Sequence, residues 1–351
     1  MSYHCNLSDS ALGVATENDA FMRKFKYYKS NKLKPLLNDV LSPNSTSKQY
    51  EITLQALNGV QEDPRTQFLG LESTKKWQTF NFPKHPGLIL IKNPFTNLGQ
   101  RYWIRKCLEI YPRRPNKRNI DLEYGFNDWW EECFKNGQCN MQLIKKLRWT
   151  TLGYHHNWDT KVYSEENKAK FPQDLAELSD VVAKYLGYNN FRAEAAIVNY
   201  YHMNSTLSGH TDHSEVNLEA PLFSFSFGQS AIFLLGGKEK SVEPSAILLS
   251  SGDIVVMSKE ARLCYHAVPK ILPTISFPWN DKLSPLKNCN MPHFKYISDQ
   301  EQHIMEFNEN VDNVKWSKYE DYTQGSRINM NVRQVLNENQ KHLTNSVFID
   351  S

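Results

Sequence analysis

Residues 199–215 contain the side chains best suited to metal chemistry, and the tripeptide His210-Thr211-Asp212 lies near the middle of this stretch. In an extended strand, side chains two positions apart point to the same side, so the imidazole of His210 and the carboxylate of Asp212 could reach one metal ion. A third ligand would have to come from a distant strand, and His266 is the best candidate. Two histidines and one carboxylate leave coordination positions open, as in non-haem Fe(II) sites that react with oxygen.

Chance alone can place a His-x-Asp tripeptide in a chain with 11 histidines, so a second motif is needed. Residues 327–333 provide it, because polar and apolar side chains alternate strictly there. The polar face carries Arg327, Asn329, Asn331 and Arg333. An ordinary antiparallel strand with one exposed face would have the same pattern. A planar dicarboxylate would also suit this face, because arginine can hold a carboxylate with two parallel hydrogen bonds.

Taken in order along the chain, these motifs resemble the AlkB family of Fe(II)/2-oxoglutarate dioxygenases. The match consists of N-x-Y, H-x-D, a distal His and R-x-N-x-x-x-R, and it is specific as a set. The resemblance covers residues 80–336, and Asn331 departs from it because the family usually has Thr there. Four segments are similar to the eukaryotic branch that includes the animal tRNA and DNA demethylase: LRWTTLGYHHNWD (147–159), LFSFSFGQSAIFLLGG (222–237), SSGDIVVMS (250–258) and HAVP (266–269).

The resemblance implies that His210, Asp212 and His266 bind Fe(II), and that 2-oxoglutarate and O₂ complete the coordination. Arg327 is then expected to hold the distal carboxylate of 2-oxoglutarate. Removing a methyl group from nitrogen needs a strong oxidant that side chains cannot supply, so the cofactor carries that chemistry. The residues that match the family's 2-oxoglutarate contacts are Asn199, Tyr201, Arg327, Asn329 and Arg333.

Three residues carry the nucleotide side of the resemblance. Trp149 and Tyr154 match aromatic positions of a lid that holds a base flipped out of its stack, although core packing would also explain aromatic residues here. Ser214 stands where the bacterial enzyme has an Asp beside the base, so the base preference stays open. Further polar candidates for this lid, or for an ordinary surface loop, are His155, His156 and Asp159.

The activity implied by the resemblance is oxidative demethylation of nucleic acid. The expected substrates are 1-methyladenosine and 5-methylcytosine in tRNA, with 6-methyladenine in DNA as a further one. A protein hydroxylase or demethylase would share the fold, and so would a non-catalytic nucleic-acid-binding module, although the intact triad argues against the latter. A zinc hydrolase could use two His and one Asp as well, but it has no use for the polar face of residues 327–333.

The charge of the whole chain does not by itself indicate a nucleic-acid-binding protein. Among 351 residues, 41 Lys and Arg oppose 38 Asp and Glu, which leaves a net charge of +3. Any phosphate-binding surface must therefore come from local clusters. Residues 23–34, 113–118 and 145–148 are three such basic clusters, and the alternative for each is a solvated surface.

Cysteine usage and the amino-terminal residues bear on the compartment. The six cysteines are scattered without a C-x-x-C pair, which favours a reduced intracellular protein over a disulfide scaffold or zinc ribbon. No apolar run approaches the roughly 20 residues of a membrane span. The first 20 residues contain no Lys or Arg but three acidic residues, which argues against a secretory signal and an Arg-rich presequence. We expect a monomer in the nucleus and cytoplasm, and the resemblance also admits the mitochondrion.

The amino-terminal half is predicted to contain the helices. A basic helix is predicted over residues 18–34, with Asn18 or Thr16 as its cap. Further helices are predicted over residues 96–111 and 172–186, where apolar side chains recur with helical spacing.

The carboxy-terminal half has the pattern of an antiparallel β-protein. From residue 193 onward, short β-rich segments separated by turns are typical of a double-sheet jelly roll. Ser251-Gly252-Asp253 is predicted to form a hairpin turn, and residues 42–66 are predicted to be linker or loop. The predicted fold is therefore α+β, a double-stranded β-helix with amino-terminal helices packed on one sheet.

These elements divide the chain into predicted segments. The catalytic core contains a long insert at residues 278–326, for which short helices are predicted at 299–309 and 316–322. No internal repeat is visible. The segments are an N-terminal extension (1–80), a helical and lid region (81–192), a jelly-roll core (193–336) and a C-terminal tail (337–351).

Overall fold

Two β-sheets and the helices that cover them form the protein, which agrees with the predicted α+β class. The division into segments stays a prediction, and a strand over Gln78–Asn81 runs across the boundary proposed at residue 80. The computed structural model describes residues 19–32, 35–43, 51–57, 59, 61–135, 137–281, 283–286 and 290–343.

Strands account for most of the core. In chain order they are β1 (Val40–Leu41), β2 (Thr53–Gln55), β3 (Gln78–Asn81), β4 (Leu88–Lys92), β5 (Lys117–Arg118), β6 (Trp149–Gly153), β7 (Ala195–His202), β8 (Leu207–His210), β9 (Leu222–Gly228), β10 (Ser230–Leu235), β11 (Ser245–Leu249), β12 (Ile254–Met257), β13 (His266–Leu272) and β14 (Ser326–Arg333). The larger sheet has the order β2-β3-β4-β12-β9-β14-β7-β6-β5, and the smaller has the order β1-β11-β10-β13-β8.

Helices lie on the outer faces of both sheets. The α-helices are α1 (Ala20–Lys29), α2 (Asn97–Arg105), α3 (Trp129–Phe134), α4 (Met141–Lys146), α5 (Gln173–Tyr185), α6 (Gln300–Asn308) and α7 (Asn313–Gln324). Helix α2 continues as a π-helix over Lys106–Ile110. The 3₁₀ segments are Leu37–Asp39, Thr66–Leu69, Thr74–Lys76, Lys259–Leu263, Pro278–Asn280 and Glu309–Val311. None of these helices has the length and apolarity needed to cross a bilayer.

Strand β14 lies near the middle of the larger sheet, between β7 and β9, and its alternation decides what each face of that sheet does. Ile328, Met330 and Val332 have no exposed surface and join the apolar cluster formed with the helices. The polar residues of β14 therefore project into the space between the two sheets. A second apolar cluster fills part of that space and contains residues from both sheets.

Helix α1 covers the smaller sheet, whereas α2 and α5 contribute to the cluster on the larger one. The apolar stripe of α1, formed by Phe21, Phe25 and Tyr28, is buried against the smaller sheet. The cap differs from both predicted candidates, because the Asp19 carboxylate accepts a hydrogen bond from the Met22 amide at 2.7 Å. Asn18 and Thr16 lie outside the described residues.

Two local predictions are wrong, and each has a topological reason. Residues 251–253 do not close a hairpin, because β11 belongs to the smaller sheet and β12 to the larger, so this turn carries the chain between sheets. The supposed linker at 42–66 contains β2, which pairs with β3 at the edge of the larger sheet. The helices predicted in the 278–326 insert are present as α6 and α7.

The four cysteines in the described part of the chain are all unpaired. Three of them, Cys107, Cys133 and Cys264, are buried, and Cys139 is exposed. Cys5 and Cys289 lie outside the described residues.

The ring of Phe21 lies against two glycines of the smaller sheet, one of which precedes His210. A Cβ atom at Gly209 would lie 2.7 Å from the Phe21 ring, and one at Gly236 would lie 2.8 Å from it. We expect Gly209→Ala to lower the free energy of unfolding by about 1–3 kcal/mol, because an extra methyl in a packed site forces its neighbours to move. Chemical denaturation measures this loss.

A smaller side chain at position 21 should relieve the clash. The loss should therefore shrink when Gly209→Ala is introduced into a Phe21→Leu background. Gly125→Ala is the matched control, because a Cβ there meets nothing within 4 Å. Equal destabilisation by the Gly209 and Gly125 substitutions would contradict this account of the packing.

Candidate functional site

The structure brings the three predicted metal ligands together between the sheets. His210 ends β8 and His266 begins β13, and the two are direct partners in the antiparallel ladder. Their ring centroids are 4.2 Å apart. Asp212 follows two residues after His210, and one potential ligand atom from each residue lies within 4.8 Å of the others.

Backbone carbonyls orient both imidazoles. Nδ1 of His210 lies 2.9 Å from the Ser208 carbonyl oxygen, and Nδ1 of His266 lies 3.2 Å from that of Cys264. A carbonyl only accepts, so Nδ1 carries the proton in both rings and Nε2 is left with its lone pair. Each Nε2 lies 3.9 Å from an oxygen of Asp212. This is the arrangement by which proteins prepare histidines as metal ligands.

Burial and neighbouring charges keep Asp212 and His266 in their metal-binding forms. Burial by itself would raise the pKa of Asp212, but the Arg333 guanidinium, with the two histidines, holds that pKa well below its usual range. Arg333 Nη2 donates to Asp212 Oδ2 at 2.7 Å. Burial, together with the neighbouring His210, lowers the pKa of His266 to about 4. At neutral pH the site therefore holds a carboxylate beside a neutral His266.

A buried network behind Asp212 fixes Arg333 in place. The Nε atom of Arg333 lies 3.1 Å from Glu215 Oε1, and the other oxygen of Glu215 accepts from Arg262 Nη2 at 2.9 Å. Arg262 Nη1 also donates to the Asp212 carbonyl oxygen at 2.7 Å. The sequence motifs did not predict Glu215 or Arg262 as site residues. Glu215 ends the same polar stretch as the triad, and that proximity was the available signal.

One cavity of about 710 Å³ is lined by the triad and by all five residues predicted to contact 2-oxoglutarate. Strand register explains this, because β7 and β14 pair Asn199 with Asn329 and Tyr201 with Arg327. Side chains of such directly opposed residues project to the same face of a sheet. The residues concerned are Asn199, Tyr201, Arg327, Asn329 and Arg333.

The guanidinium of Arg327 has bonding capacity to spare. Its side chain is 2% exposed, and it donates to the Gln229 carbonyl at 3.1 Å and to Ser226 Oγ at 2.7 Å. Its Nε atom has no hydrogen-bond partner among the described residues. Burial lowers the pKa of Arg327 to about 10, so the group stays charged at neutral pH. A buried cation with an unused donor fits a carboxylate of 2-oxoglutarate.

The three predicted base-contacting residues occupy different places. Ser214 lines the cavity, and its Oγ lies 3.0 Å from His156 Nε2. Trp149 is partly buried and does not line it, but its ring centroid is 5.1 Å from that of Trp158, which does. Trp149 is opposite Asn199 in the ladder of β6 and β7, so it projects to the cavity face of the sheet and packs beside a residue of the wall.

The prediction for Tyr154 is wrong. Its side chain is 1% exposed, packs with Tyr163 and Val335, and does not line the cavity. Its hydroxyl is engaged by Glu165 and Lys168. Tyr154 follows the end of β6 at Gly153, whose φ is +69°, so the alternation of the strand does not direct its side chain toward the cavity.

Other residues of the 147–159 stretch form the wall instead. His156 and Trp158 line the cavity, with ring centroids 4.7 Å apart. His155 is buried and bonded to Thr151 Oγ1 at 2.8 Å, so it is a structural residue, and Asp159 is exposed. Two lysines at the cavity, neither of them predicted, are Lys161, 5.8 Å from the centre of the Trp158 ring, and Lys240.

The basic clusters have unequal numbers of available charges. In the 113–118 cluster, Arg118 is buried and paired with Asp121 at 2.6 Å, and Arg113 lies 2.7 Å from Asp128. Two of the predicted phosphate contacts in that cluster are therefore used inside the protein. In the 145–148 cluster, Lys145 and Arg148 are exposed.

Helix α1 carries most of the described part of the 23–34 cluster, and Lys32 follows the end of the helix. Lys24 of this helix lies 3.1 Å from Glu243. Residues 33 and 34 lie outside the described part of the chain.

Comparison with known proteins identifies the family. Residues 87–333 match the profile of the 2OG-Fe(II) oxygenase superfamily. The nucleic acid dioxygenase ALKBH1 of Homo sapiens is 36% identical over 93% of this chain and 87% of its own length. The chain belongs to the AlkB family.

Two further AlkB-family relatives have different named substrates. The tRNA demethylase abh1 of Schizosaccharomyces pombe is 34% identical over 64% of this chain and 83% of its own length. The DNA N(6)-methyladenine demethylase ALKBH1A of Arabidopsis thaliana is 27% identical over 94% of this chain and 98% of its own length.

Two histidines of residues 199–215, His210 and His213, provide a matched test of the AlkB-type metal site. We expect His210→Ala to weaken metal binding by at least about tenfold. Changing a group that only hydrogen-bonds to a metal ligand already costs about 10–100-fold, and this change removes a ligand itself. Calorimetric titration with Fe(II) or Co(II) under anaerobic conditions measures the affinity.

His213→Ala is the control, because His213 is exposed, belongs to the same stretch and is not part of the triad. It should bind metal like the unmodified protein. If the two variants bound metal equally, His210 would not be a ligand.

Proposed function

We propose that this protein is an Fe(II)- and 2-oxoglutarate-dependent dioxygenase that removes methyl groups from bases in nucleic acid. The preferred substrates would be 1-methyladenosine and 5-methylcytosine in tRNA. One observation carries the proposal: the His210-Asp212-His266 triad and the buried, incompletely bonded Arg327 line the same cavity. The names of the human and S. pombe relatives support nucleic acid, and tRNA in particular, as substrate.

The residues of the chain fit both groups. His210, Asp212 and His266 would hold the iron through two Nε2 atoms and a carboxylate oxygen, and Arg327 would hold 2-oxoglutarate. When bound, iron and 2-oxoglutarate would supply the oxidising power that hydroxylates a methyl group with O₂. A hydroxymethyl group on nitrogen, as from 1-methyladenosine, would then leave as formaldehyde, whereas one on carbon, as from 5-methylcytosine, would stay on the base as an oxidised group. The polar row of β14 places the carboxylate-binding end of the cavity on a rigid central strand.

The protein's own part is orientation and charge control. Arg333 keeps Asp212 ionised and fixed, while Glu215 and Arg262 keep Arg333 from turning away. The site lies between two sheets, where the low local dielectric strengthens each of these contacts. The pocket therefore needs little rearrangement when the charged cosubstrate enters.

The outer part of the cavity suits a base that has left its stack. Trp158 offers an aromatic surface, and the hydrogen-bonded pair of His156 and Ser214 offers polar atoms for the edge of a base. Lys161 and Lys240 place positive charge at the same cavity, where phosphates of the flanking nucleotides would lie. A protein substrate would not require this combination of an aromatic surface and two lysines.

The substrate is tested by incubating the protein with total tRNA, Fe(II), ascorbate and 2-oxoglutarate, followed by mass spectrometry of the nucleosides. We expect 1-methyladenosine to decrease and formaldehyde to appear in equal amount. Methylated DNA and methylated peptides are offered in parallel. Asp212→Asn is the inactive control, because it retains the size of the side chain and removes its charge.

Preferential loss of 6-methyladenine from DNA would replace tRNA as the substrate in this proposal. Turnover of the peptides alone would contradict the nucleic-acid assignment.

Arg327 should decide the affinity for 2-oxoglutarate. A charge-assisted hydrogen bond is worth about 1.5–3 kcal/mol, so Arg327→Ala should raise the apparent KM for 2-oxoglutarate about tenfold or more. The readout is release of CO₂ from labelled 2-oxoglutarate at several cosubstrate concentrations.

Arg327→Lys retains the charge and should recover part of the loss, although an ammonium cannot make the planar two-bond contact. Arg192→Ala is the control outside the cavity, because Arg192 pairs with Glu194 at 2.9 Å and does not line it. An unchanged KM in Arg327→Ala would assign the carboxylate contact to another residue.

A further inference from the structure

Two buried residues outside the lining of the metal cavity hold the guanidinium of Arg327. Its Nη2 atom donates to Ser226 Oγ at 2.7 Å, and its Nη1 atom donates to the Gln229 carbonyl at 3.1 Å. Ser226 has no exposed surface and Gln229 is 2% exposed. Arg327 lines the cavity, whereas neither of its two partners does. An effect of Ser226 or Gln229 on a ligand in the cavity is therefore expected to pass through Arg327.

Strand pairing places Ser226 beside Arg327. In the ladder of β9 and β14, Arg327 is directly opposite Gly228, so Ser226 is its diagonal neighbour. Diagonal neighbours on one face of a sheet lie within reach of a long side chain. The residues on either side of Ser226 in β9 are phenylalanines of the apolar cluster on the other face. This alternation directs the hydroxyl of Ser226 to the same side of the sheet as the guanidinium.

Gln229 is the single residue between β9 of the larger sheet and β10 of the smaller one, and both ends of its side-chain amide are bonded. Its Nε2 atom donates to the carbonyls of Thr323 and Gln324 at 2.7 and 3.0 Å. Its Oε1 atom accepts from the Thr274 amide at 2.8 Å. These three contacts fix the position of the Gln229 backbone, and with it the carbonyl that accepts from Arg327.

The contacts of Gln229 attach Arg327 to the end of α7, the last helix of the 278–326 insert. The last carbonyls of a helix have no donor within the helix, and the amide of Gln229 supplies one. Helix α7 ends at Gln324, and β14 begins at Ser326, whose carbonyl accepts from the Gln229 backbone amide at 3.0 Å. The insert is therefore connected to the same residue that supports the guanidinium.

Orientation before binding matters for a side chain as long as arginine. A free arginine loses rotamer entropy when a ligand fixes it, and a side chain that is already fixed does not. Ser226 and Gln229 each accept from a different Nη atom of Arg327, which defines the plane of the guanidinium. Arg327 makes no ion pair within the described part of the chain, so its charge is available to an incoming carboxylate.

We propose that Ser226 and Gln229 are positioning residues for the cosubstrate. They hold the guanidinium of Arg327 ready for the distal carboxylate of 2-oxoglutarate, and Gln229 makes the end of α7 part of this support. The inference rests on the proposed function, in which Arg327 makes that contact. A purely structural role would change stability without distinguishing one small keto acid from another. A positioning role affects ligands that have a distal carboxylate.

A pair of keto acids separates the two roles. 2-Oxopentanoate has the keto-acid end and chain length of 2-oxoglutarate, but a methyl group replaces the distal carboxylate. Their dissociation constants are measured without oxygen on the iron-loaded protein, by calorimetry or by competition where binding is weak. We expect Ser226→Ala and Gln229→Met each to weaken 2-oxoglutarate binding about three- to tenfold and to leave 2-oxopentanoate binding within about twofold.

The chain offers a matched control for each substitution. Ser179 is also fully buried, and its hydroxyl donates to the Leu175 carbonyl at 2.7 Å, so Ser179→Ala removes a comparable bond. The side-chain amide of Asn310 donates to two carbonyls near the end of α6, and its own carbonyl accepts from Arg101 at 3.2 Å. Asn310→Leu therefore imitates Gln229→Met away from the metal cavity. Both controls should bind the two keto acids like the unmodified protein.

A double variant shows whether the effect passes through the arginine. In an Arg327→Ala background, Ser226→Ala should weaken 2-oxoglutarate binding no further. If Gln229→Met does not fold, Gln229→Asn replaces it, because the shorter side chain retains the amide but withdraws it from α7. Unchanged 2-oxoglutarate binding in the variants of Ser226 or Gln229 would overturn the proposal. Equal weakening of both keto acids, or a further loss in the double variant, would do the same.

The proposed function fails separately. If Arg327→Ala by itself bound 2-oxoglutarate like the unmodified protein, Arg327 would not be the cosubstrate contact. If Arg327→Ala weakened binding while the Ser226 and Gln229 variants did not, only the positioning role would be lost.

Discussion

The contact between Arg333 and Asp212 is the interaction on which the rest of the site depends. Burial raises the pKa of this carboxylate and so favours its protonated form, in which the triad would lose its one anionic ligand. The guanidinium 2.7 Å away prevents this. The buried positive charge of Arg333 is compensated by Glu215, and the negative charge of Glu215 by Arg262. Negative and positive side chains therefore alternate from Asp212 to Arg262. Removing one member would leave an uncompensated buried charge, which is far more costly than the pair itself.

Strand β14 connects this electrostatic requirement to the stability of the fold. Its apolar residues lie in the helix-covered core, and its polar residues line the metal cavity. A one-residue slip in register would put Arg327 and Arg333 into the apolar core and Met330 into the cavity. Burial of Ile328, Met330 and Val332 therefore selects the register that places both arginines beside the cavity. Packing on one face of the strand specifies the chemistry on the other.

The sequence was most informative where chemistry and local periodicity coincide. The β14 face could be predicted because two-residue spacing in a strand determines side-chain direction. The H-x-D motif indicated the right residues, although Asp212 follows the end of β8 and meets the histidines from outside the strand. Tyr154 could not be placed, because its direction depends on where β6 ends. Whether residues 251–253 close a hairpin or connect two sheets depends on the sheet to which each flanking strand belongs, and the local sequence does not specify this. From the sequence, Arg113 and Arg118 were grouped with the exposed basic residues. In the structure they form ion pairs with Asp128 and Asp121, and the sequence does not show which carboxylate an arginine will pair with.

The two arginines of β14 differ in a way that stability alone does not explain. Arg333 is held by two carboxylates, Asp212 and Glu215. Arg327 is buried as well, but it donates only to the neutral oxygens of Gln229 and Ser226 and makes no ion pair within the described part of the chain. A buried cation without an anion is costly, and an apolar replacement of similar shape would remove the cost. Departures from local optimisation are expected at functional sites, where a bound molecule supplies what the fold lacks. One strand therefore carries an arginine that the protein's own anions fix in place, and another that is suited to an incoming carboxylate.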